Sequence, residues 1–454
     1  MRTEVRDTLR VGGPVILTQL LQMSLSFTDT IMAGRLSALD LAAVAIGSSV
    51  MMPVLVFCMG SVLAVNPIVA QNLGGRRFHL IGKNVRQALW LSQMFALAGF
   101  AIVRQLDTVM VWMSVESDII PLAAGYLDAI SWGIFPLFGY VALRNFNEGL
   151  SVTRPPMFIA LAGALVNVPA NYVLMYGALG VPSLGAVGTG YASAIVWSVM
   201  FASIFAFTHR FRPYRRFSIF SGWRRPEWAY LSELLRVGLP IGSSATLEVS
   251  MFAAVGLLMG TLGTVAVAAH QVALNVAALA FMIPFGISIA ITSRVGHSVG
   301  RGNLEEARFR GWMGMAVSTG FMVATALLMS LFPRAIVTVY TTDADVMQAA
   351  VQLIYLAAVF QISDGIQVSG LGALRGVKDT RFPMLMNVLA YGVVGLPLAV
   401  LLGIRLDWGP VGMWIGLIVG LTVAALLHTW RFKHVTSRLL SGQASPKQAA
   451  GTAA

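Results

Sequence analysis

Long apolar stretches broken by short polar ones set the plan of this chain. Twelve runs are each long enough, at roughly 20 residues, to cross about 30 Å of hydrocarbon as a helix. They fall at about 9–34, 41–72, 85–103, 119–142, 156–177, 184–209, 237–260, 264–292, 311–332, 347–371, 383–403 and 410–430. Prolines inside them (Pro53, Pro67, Pro136, Pro169, Pro284 and Pro397) predict kinked helices. Only short loops and one connector, 210–234, remain between the runs, so no soluble domain of useful size is left over. That argues against an enzyme with an aqueous active site.

Composition places the chain in a membrane: 57% of residues are hydrophobic and 11% charged. Charge then adds orientation, because loops rich in Lys and Arg stay in the cytoplasm. Assigning the 31 basic residues to alternating sides of successive runs leaves Arg35, Arg104, Arg334 and Arg405 on one side and all the others opposite. So lopsided a split predicts an even number of spans with both termini inside. The formal charge of +12 is a topology signal with some attraction to anionic headgroups, and no argument for nucleic acid. A single cysteine, Cys58, excludes an intramolecular disulfide and a cysteine metal cluster, and it reads as a small buried residue. The first run follows a charged tail but carries Asp29 and lacks a clean cleavage site, so it reads as a retained span.

The chain repeats itself. "LRVGGP" at 9–14 recurs as "LRVGLP" at 235–240, a shift of 226 that also carries Gly74 onto Gly300. "EGLSVTRPPM" at 148–157 matches "RGVKDTRFPM" at 375–384 with a shift of 227. Six spans per copy is an even number, so both copies insert in the same direction. The expected architecture is an all-α integral membrane protein of twelve helices in two six-helix bundles, related by a pseudo-two-fold axis along the membrane normal. The bundles are placed at 1–209 and 235–434, joined by the basic connector 210–234 and followed by a disordered tail, 435–454. Two like bundles suit alternating access around a site between them.

Four carboxylates stand inside runs: Asp29, Asp128, Glu248 and Asp364. A charge at the bilayer centre costs about 2.5–3.5 kcal/mol on insertion scales, so each calls for an offsetting partner. Helical rise puts Glu248 about 18 Å beyond Arg236 and Asp364 about 16 Å from Arg375, a shared depth in the second half. Asp29 lies about 28 Å beyond Arg10, toward the outer part of the first half. Asp128 is shallower. The repeat does not preserve these acids: Asp29 stands opposite Val255, and Glu248 opposite Gln22. No Lys or Arg shares their depth in the same runs, so the expected counter-charge is a proton or a hard cation such as Na⁺, with Glu248 and Asp364 as candidate Na⁺ ligands.

Several segments together resemble one family. "FTDTIMAGRL" (27–36), "QNLGGRR" (71–77), "NVPANYVLMYGALG" (167–180), "AVAAHQVALN" (266–275) and "LGALRGVKDTRFPM" (371–384) look like the multidrug and toxic compound extrusion (MATE) transporters, over residues 5 to about 435. The resemblance implies a V-shaped central cleft and export of cationic drugs in exchange for Na⁺ or H⁺, with no cofactor, by a functional monomer in the bacterial inner membrane. Glu248 and Asp364 match the acidic positions of the NorM-like branch, where they are associated with the coupling ion. Asp29, with Asn167, Asn171 and Thr189, matches the first-bundle set on which the DinF-like branch relies. The chain departs from relatives that carry a second acid near Asn171, which leaves a proton at Asp29 as an alternative to Na⁺. Ion binding at these carboxylates would compete with drug held in the cleft.

Two other classes fit less well. A flippase for lipid-linked oligosaccharides shares the two-bundle plan but calls for basic residues in its cavity, whereas here the acids are inside and the bases in loops. A membrane-embedded hydrolase needs a nucleophile and base at helical spacing, and none is present. His270 and His297 lack a second ligand at helical spacing, so they read as packing or edge residues. "NLGGRR" lacks the Lys-Ser/Thr of a phosphate-binding loop. The 23 Met and 24 Phe mostly serve lipid and helix packing, with a minority available to a promiscuous drug surface.

Overall fold

Hydrocarbon cannot hydrogen-bond a peptide group, so a chain this apolar satisfies its backbone within helices. The computed structural model describes residues 2–113, 115–220 and 225–443, and among them every regular element is helical. The helices are α1 (Arg2–Leu36), α2 (Ala38–Gly74), α3 (Phe78–Val103 with Leu106–Trp112), α4 (Ile119–Ser131 with Ile134–Gly149), α5 (Arg154–Tyr176) and α6 (Gly185–Arg210). The second half supplies α7 (Trp228–Gly260), α8 (Thr264–Gly300), α9 (Leu304–Leu331), α10 (Ala344–Gly376), α11 (Arg381–Arg405) and α12 (Gly409–Gln443). Nine of these are long and apolar enough to cross a membrane, and counting each of the bent helices α3 and α4 as one span makes eleven. The twelfth, α1, is diluted by Gln19, Gln22 and Asp29.

The expected kinks fall partly at the prolines. α4 bends by 49° at Trp132–Gly133, where Pro136 withholds the N–H that would meet the Trp132 carbonyl. α2 is interrupted at Leu63, the carbonyl four residues before Pro67. In α11 two π-helical stretches, Val388–Gly395 and Leu401–Arg405, flank the turn holding Pro397. α3 bends by 42° at Arg104–Gln105 without a proline. Pro53, Pro169 and Pro284 lie inside continuous helices.

The helices form two compact units. One comprises residues 13–69 and 77–246, the other 2–12, 70–76 and the chain from 247 onward. The first turns of α1 therefore belong with the second half of the chain, where Arg294 of α8 holds Glu4 at 2.6 Å and Arg310 of α9 pairs with Glu306 at 2.7 Å. The end of α2 belongs there too, with Gln71 donating to the Gly376 carbonyl at 2.9 Å. Here the repeat packs on itself reciprocally. A Cβ on Gly74 would meet the His297 carbonyl oxygen at 2.1 Å, and one on Gly300 would meet that of Gln71 at 2.0 Å. Gly74 and Gly300 are repeat partners, as are Gln71 and His297.

Outside the helices, the connector is anchored to the first-half unit. Residues Arg212–Phe217 form a 3₁₀ turn whose Tyr214 hydroxyl donates to Asn147 Oδ1 at 2.6 Å, and Arg86 donates to the Ser218 carbonyl. Burial pushes the Tyr214 phenol up from its ordinary value, which keeps it a donor. At the other end, α12 continues to Gln443, past the expected limit of the second bundle at 434, because Phe432 and Thr436 remain buried along it. Residues 444–454 of the expected tail lie outside the described residues. Cys58 is a buried free thiol.

Gly74→Ala and Gly300→Ala are each expected to destabilise the protein by about 1–3 kcal/mol, since backbone must shift to admit the methyl. Gly320, with open space around its Cβ, serves as control: Gly320→Ala should be neutral or stabilising by up to about 1 kcal/mol. Thermal unfolding in detergent reads both.

Candidate functional site

In the first-half unit, Asp29 of α1 meets two helices that present polar residues four apart. That spacing puts Asn167 and Asn171 on one face of α5, and Thr189 and Ser193 on one face of α6. Asn171 Nδ2 donates to Asp29 Oδ1 at 2.6 Å, Asn167 Nδ2 to the same oxygen at 3.0 Å, and Ser193 Oγ to Oδ2 at 3.1 Å. Tyr126 of α4 stands within electrostatic reach. Three further oxygens, Oδ1 of both asparagines and Oγ1 of Thr189, are buried with no hydrogen-bond partner among the described residues. Orphaned acceptors cost about 1–3 kcal/mol each, so the two amide oxygens on the side chains bonded to Asp29 are available to a cation or water. Carboxylate, amide carbonyl and hydroxyl are the donor set of a small hard cation. The structure thus brings together Asp29, Asn167 and Asn171, places Thr189 one helical turn from Ser193 on α6, and adds Ser193 and Tyr126, of which Ser193 is signalled by its spacing from Thr189.

The second-half unit gathers Glu248 of α7 with Asp364, Gln367 and Arg375 of α10 and Tyr391 of α11. Asp364 is 3% exposed and lies within electrostatic reach of Glu248. The Gln367 amide faces Glu248 and donates Nε2 to the Tyr391 hydroxyl at 2.7 Å. Tyr391 sits on a π-helical stretch, which turns it toward α10 out of ordinary helical register. Contrary to the expectation of no base at this depth, Arg375 stands within electrostatic reach of Glu248. The cause is direction: side chains in a helix lean toward its N-terminus, so Arg375 at the end of α10 reaches back toward the acids. Arg375 thus answers Glu248, which in turn neighbours Asp364. Beside them His270, Trp414, Phe360 and Phe252 make edge-on contacts with centroids 5.8–5.9 Å apart. His270 is fully buried, and among the described residues no group of three or more His, Cys, Asp or Glu could hold a metal ion.

Asp128 joins neither cluster. Its carboxylate is 54% exposed and pairs with Arg104 at 2.9 Å. A further charged group that the apolar runs did not reveal lies where α4 continues past 142. Arg144, 3% exposed, contacts Glu148 at 3.3 Å and donates to Gln22 at 2.8 Å and Gln19 at 3.3 Å on α1.

Comparison with known proteins places this geometry. The MatE family model matches the chain twice, over residues 14–173 and 240–401, and the two matches begin 226 residues apart, the repeat shift. The chain is 40% identical over 436 residues, 95% of each chain, to the multidrug resistance protein MdtK of Yersinia pseudotuberculosis serotype O:1b. It is 39% identical over 440 residues, 96% of this chain and 95% of the other, to a probable multidrug resistance protein NorM of Idiomarina loihiensis. Among solved structures it superposes on the eukaryotic MATE transporter AtDTX14 with a TM-score of 0.87 at 18% identity, covering 97% of this chain and 99% of that one. An outward-facing multidrug resistance MATE family transporter gives 0.88 at 19% identity, covering 96% and 97%. These likenesses establish twelve membrane-spanning helices in two six-helix bundles.

The hydrogen bonds to Asp29 predict energetic coupling. In a double-mutant cycle of Asp29→Asn and Asn171→Ala, read by thermal unfolding, the coupling energy should be at least about 1 kcal/mol, as for a charge-assisted bond. Additive effects would show that the contact contributes nothing.

Proposed function

Because the chain belongs to the MatE family, in its NorM-like branch, we propose that it exports amphipathic organic cations in exchange for Na⁺ or H⁺ by alternating access. It is a multi-pass membrane transporter of the multidrug efflux type and not an enzyme. The bacterial inner membrane, with both termini cytoplasmic, is the location that the basic loops and the bacterial relatives support.

The observation that carries the ion half of this reading is the set of groups around Asp29: one carboxylate, three donors to it, and on two of those donors a buried amide oxygen without a partner among the described residues. A carboxylate so placed binds a proton or a small cation when the interior is closed to water, and releases it when access changes. The charge balance of the second-half unit supports a similar role. Glu248 and Asp364 ionised beside Arg375 leave one negative charge, which one monovalent cation or proton neutralises; Glu248 has the guanidinium within reach, so Asp364 is the exchanging acid. Export follows if ion and drug prefer different states of the bundles. A flippase is disfavoured because the buried arginines Arg144, Arg294 and Arg375 are each engaged by a glutamate rather than left for a phosphate.

Ethidium efflux from reconstituted vesicles, with inward Na⁺ and pH gradients imposed separately, tests this reading. Whichever gradient drives the wild type, Asp29→Asn and Asp364→Asn should each lower driven efflux at least about tenfold, the worth of about 1.4 kcal/mol of ion binding, with folding retained. Wild-type rates in either variant would remove that acid from the coupling scheme, and no driven efflux by the wild type under either gradient would overturn antiport.

A further inference from the structure

Between the acids of the second-half unit and the end of α10 lies a row of buried polar groups that the proposed exchange leaves unused. Gln367 comes first, three residues along α10 from Asp364, and its Oε1 has no hydrogen-bond partner among the described residues. α11 runs back from that end, and Asn387, six residues or about 9 Å into it, has neither Nδ2 nor Oδ1 partnered. On α12, both ring nitrogens of His428 are likewise without partners among the described residues. All three side chains are fully buried.

Helix packing draws them together. A Cβ on Gly370 would lie 3.2 Å from the His428 Cβ, so α12 runs close against α10 at this point. The backbone carbonyls of Gln367 and Pro383 turn toward the imidazole without closing a hydrogen bond to it, and Asn387 stands one helical turn beyond Pro383 on the same face of α11. At the acid end of the row, Gln367 faces Glu248 and donates to the Tyr391 hydroxyl at 2.7 Å. At the other end Arg431, three residues past His428, pairs with Asp379 of the α10–α11 turn at 2.7 Å, and both are partly exposed. An orphaned polar atom costs about 1–3 kcal/mol when dry, so five of them in one row call for a ligand that both donates and accepts, and water does both.

We infer that this row is a hydrated proton route joining Glu248 and Asp364 to the membrane face at which α10 ends, with His428 as its relay. The inference rests on the exchange proposed for those acids. Arg375 stands within electrostatic reach of both Glu248 and His428, so a Na⁺ ion entering the row would move against a fixed positive charge. A proton avoids that residence by being handed on. One imidazole nitrogen takes it up while the other releases its own to the next water, which leaves the ring as its other tautomer until it turns over. Nothing is consumed. The neighbouring elements turn few titratable groups toward His428: α10 offers Arg375, α11 offers Tyr391 beyond Asn387, α9 offers only the Met315 thioether beside Gly370, and Arg431 on α12 itself is held by Asp379.

Hydration is tested apart from transport, on the full chain in a Cys58→Ser background. Asn387→Cys should react with the small neutral reagent methyl methanethiosulfonate at least about tenfold faster than Ala390→Cys, a fully buried apolar position on the same helix, because a thiol ionises where water reaches it. Equal rates would overturn the route, whatever the acids do. The relay is read in reconstituted vesicles by comparing ethidium efflux driven by a pH gradient with ethidium exchange at equal pH, in which drug replaces drug and no net proton crosses. His428→Gln keeps a polar group in the row but cannot pass a proton, so driven efflux should fall at least about tenfold while exchange stays within about twofold of wild type. Loss of both activities would mark His428 as structural and overturn the relay, as would driven efflux at the wild-type rate. Should His428→Gln fail to fold, Asn387→Leu interrupts the row without touching the imidazole and is expected to give the same split; loss of both activities, or of neither, would again overturn the route. A wild type driven by Na⁺ alone overturns the proton route and leaves antiport standing, whereas a wild type that neither gradient drives removes the antiport reading and the relay with it.

Discussion

A charge placed among apolar helices has no water to disperse it, and the arrangement of this protein follows from how each such charge is answered. Glu4 is held by Arg294, Glu148 by Arg144, and Glu248 has Arg375 in reach. Arg144 and Glu148, 3% and 1% exposed, would each be costly to bury without the other. Asp29 is answered differently, by three neutral donors, and Asp364 has another carboxylate as its charged neighbour. Asp29 and Asp364 are accordingly the acids to which the proposed exchange is assigned.

Duplication provided the scaffold on which this division was made. The reciprocal approach of Gly74 to His297 and of Gly300 to Gln71 shows that equivalent segments of the two copies meet symmetrically at this contact. Side-chain chemistry was free to diverge because a helix presents its buried face without depending on which polar group stands there. In one copy the interior amide sits on the first helix, at Gln22; in the other that position is Glu248.

Much of this was legible in the order of residues, and the limits have physical causes. Apolar length located the helices because the bilayer sets one scale for all of them. The repeat was legible because glycines and prolines at close helix contacts tolerate few replacements. Asp29, Asn167, Asn171 and Thr189 came from resemblance, and spacing by four recovers Ser193. Arg375 serves in the sequence as a marker of the inner edge, and its reach to Glu248 is not legible there because depth counted along the backbone ignores a side chain that leans back toward the N-terminus of α10. Tyr391 was hidden by π-helical turns, which break the periodicity that face assignment relies on. Arg144 and Glu148 fell beyond the apparent end of an apolar run, where a buried ion pair is indistinguishable in sequence from a loop. Asp128, shallower in its run than the other acids, is exposed beside Arg104, a partner 24 residues away that spacing does not reveal.

The exchange of segments between the two units also sets an order of assembly. Glu4 waits for an arginine 290 residues downstream. At synthesis rates of about 5–20 residues per second, that interval is roughly 15–60 s. The first-half unit is likewise incomplete until the beginning of α7 has been made, since residues 228–246 belong to it. Neither bundle is a finished object when the ribosome passes the connector. Glu4 therefore waits in the charged N-terminal tail, and its ion pair closes only once the second half of the chain has begun to form.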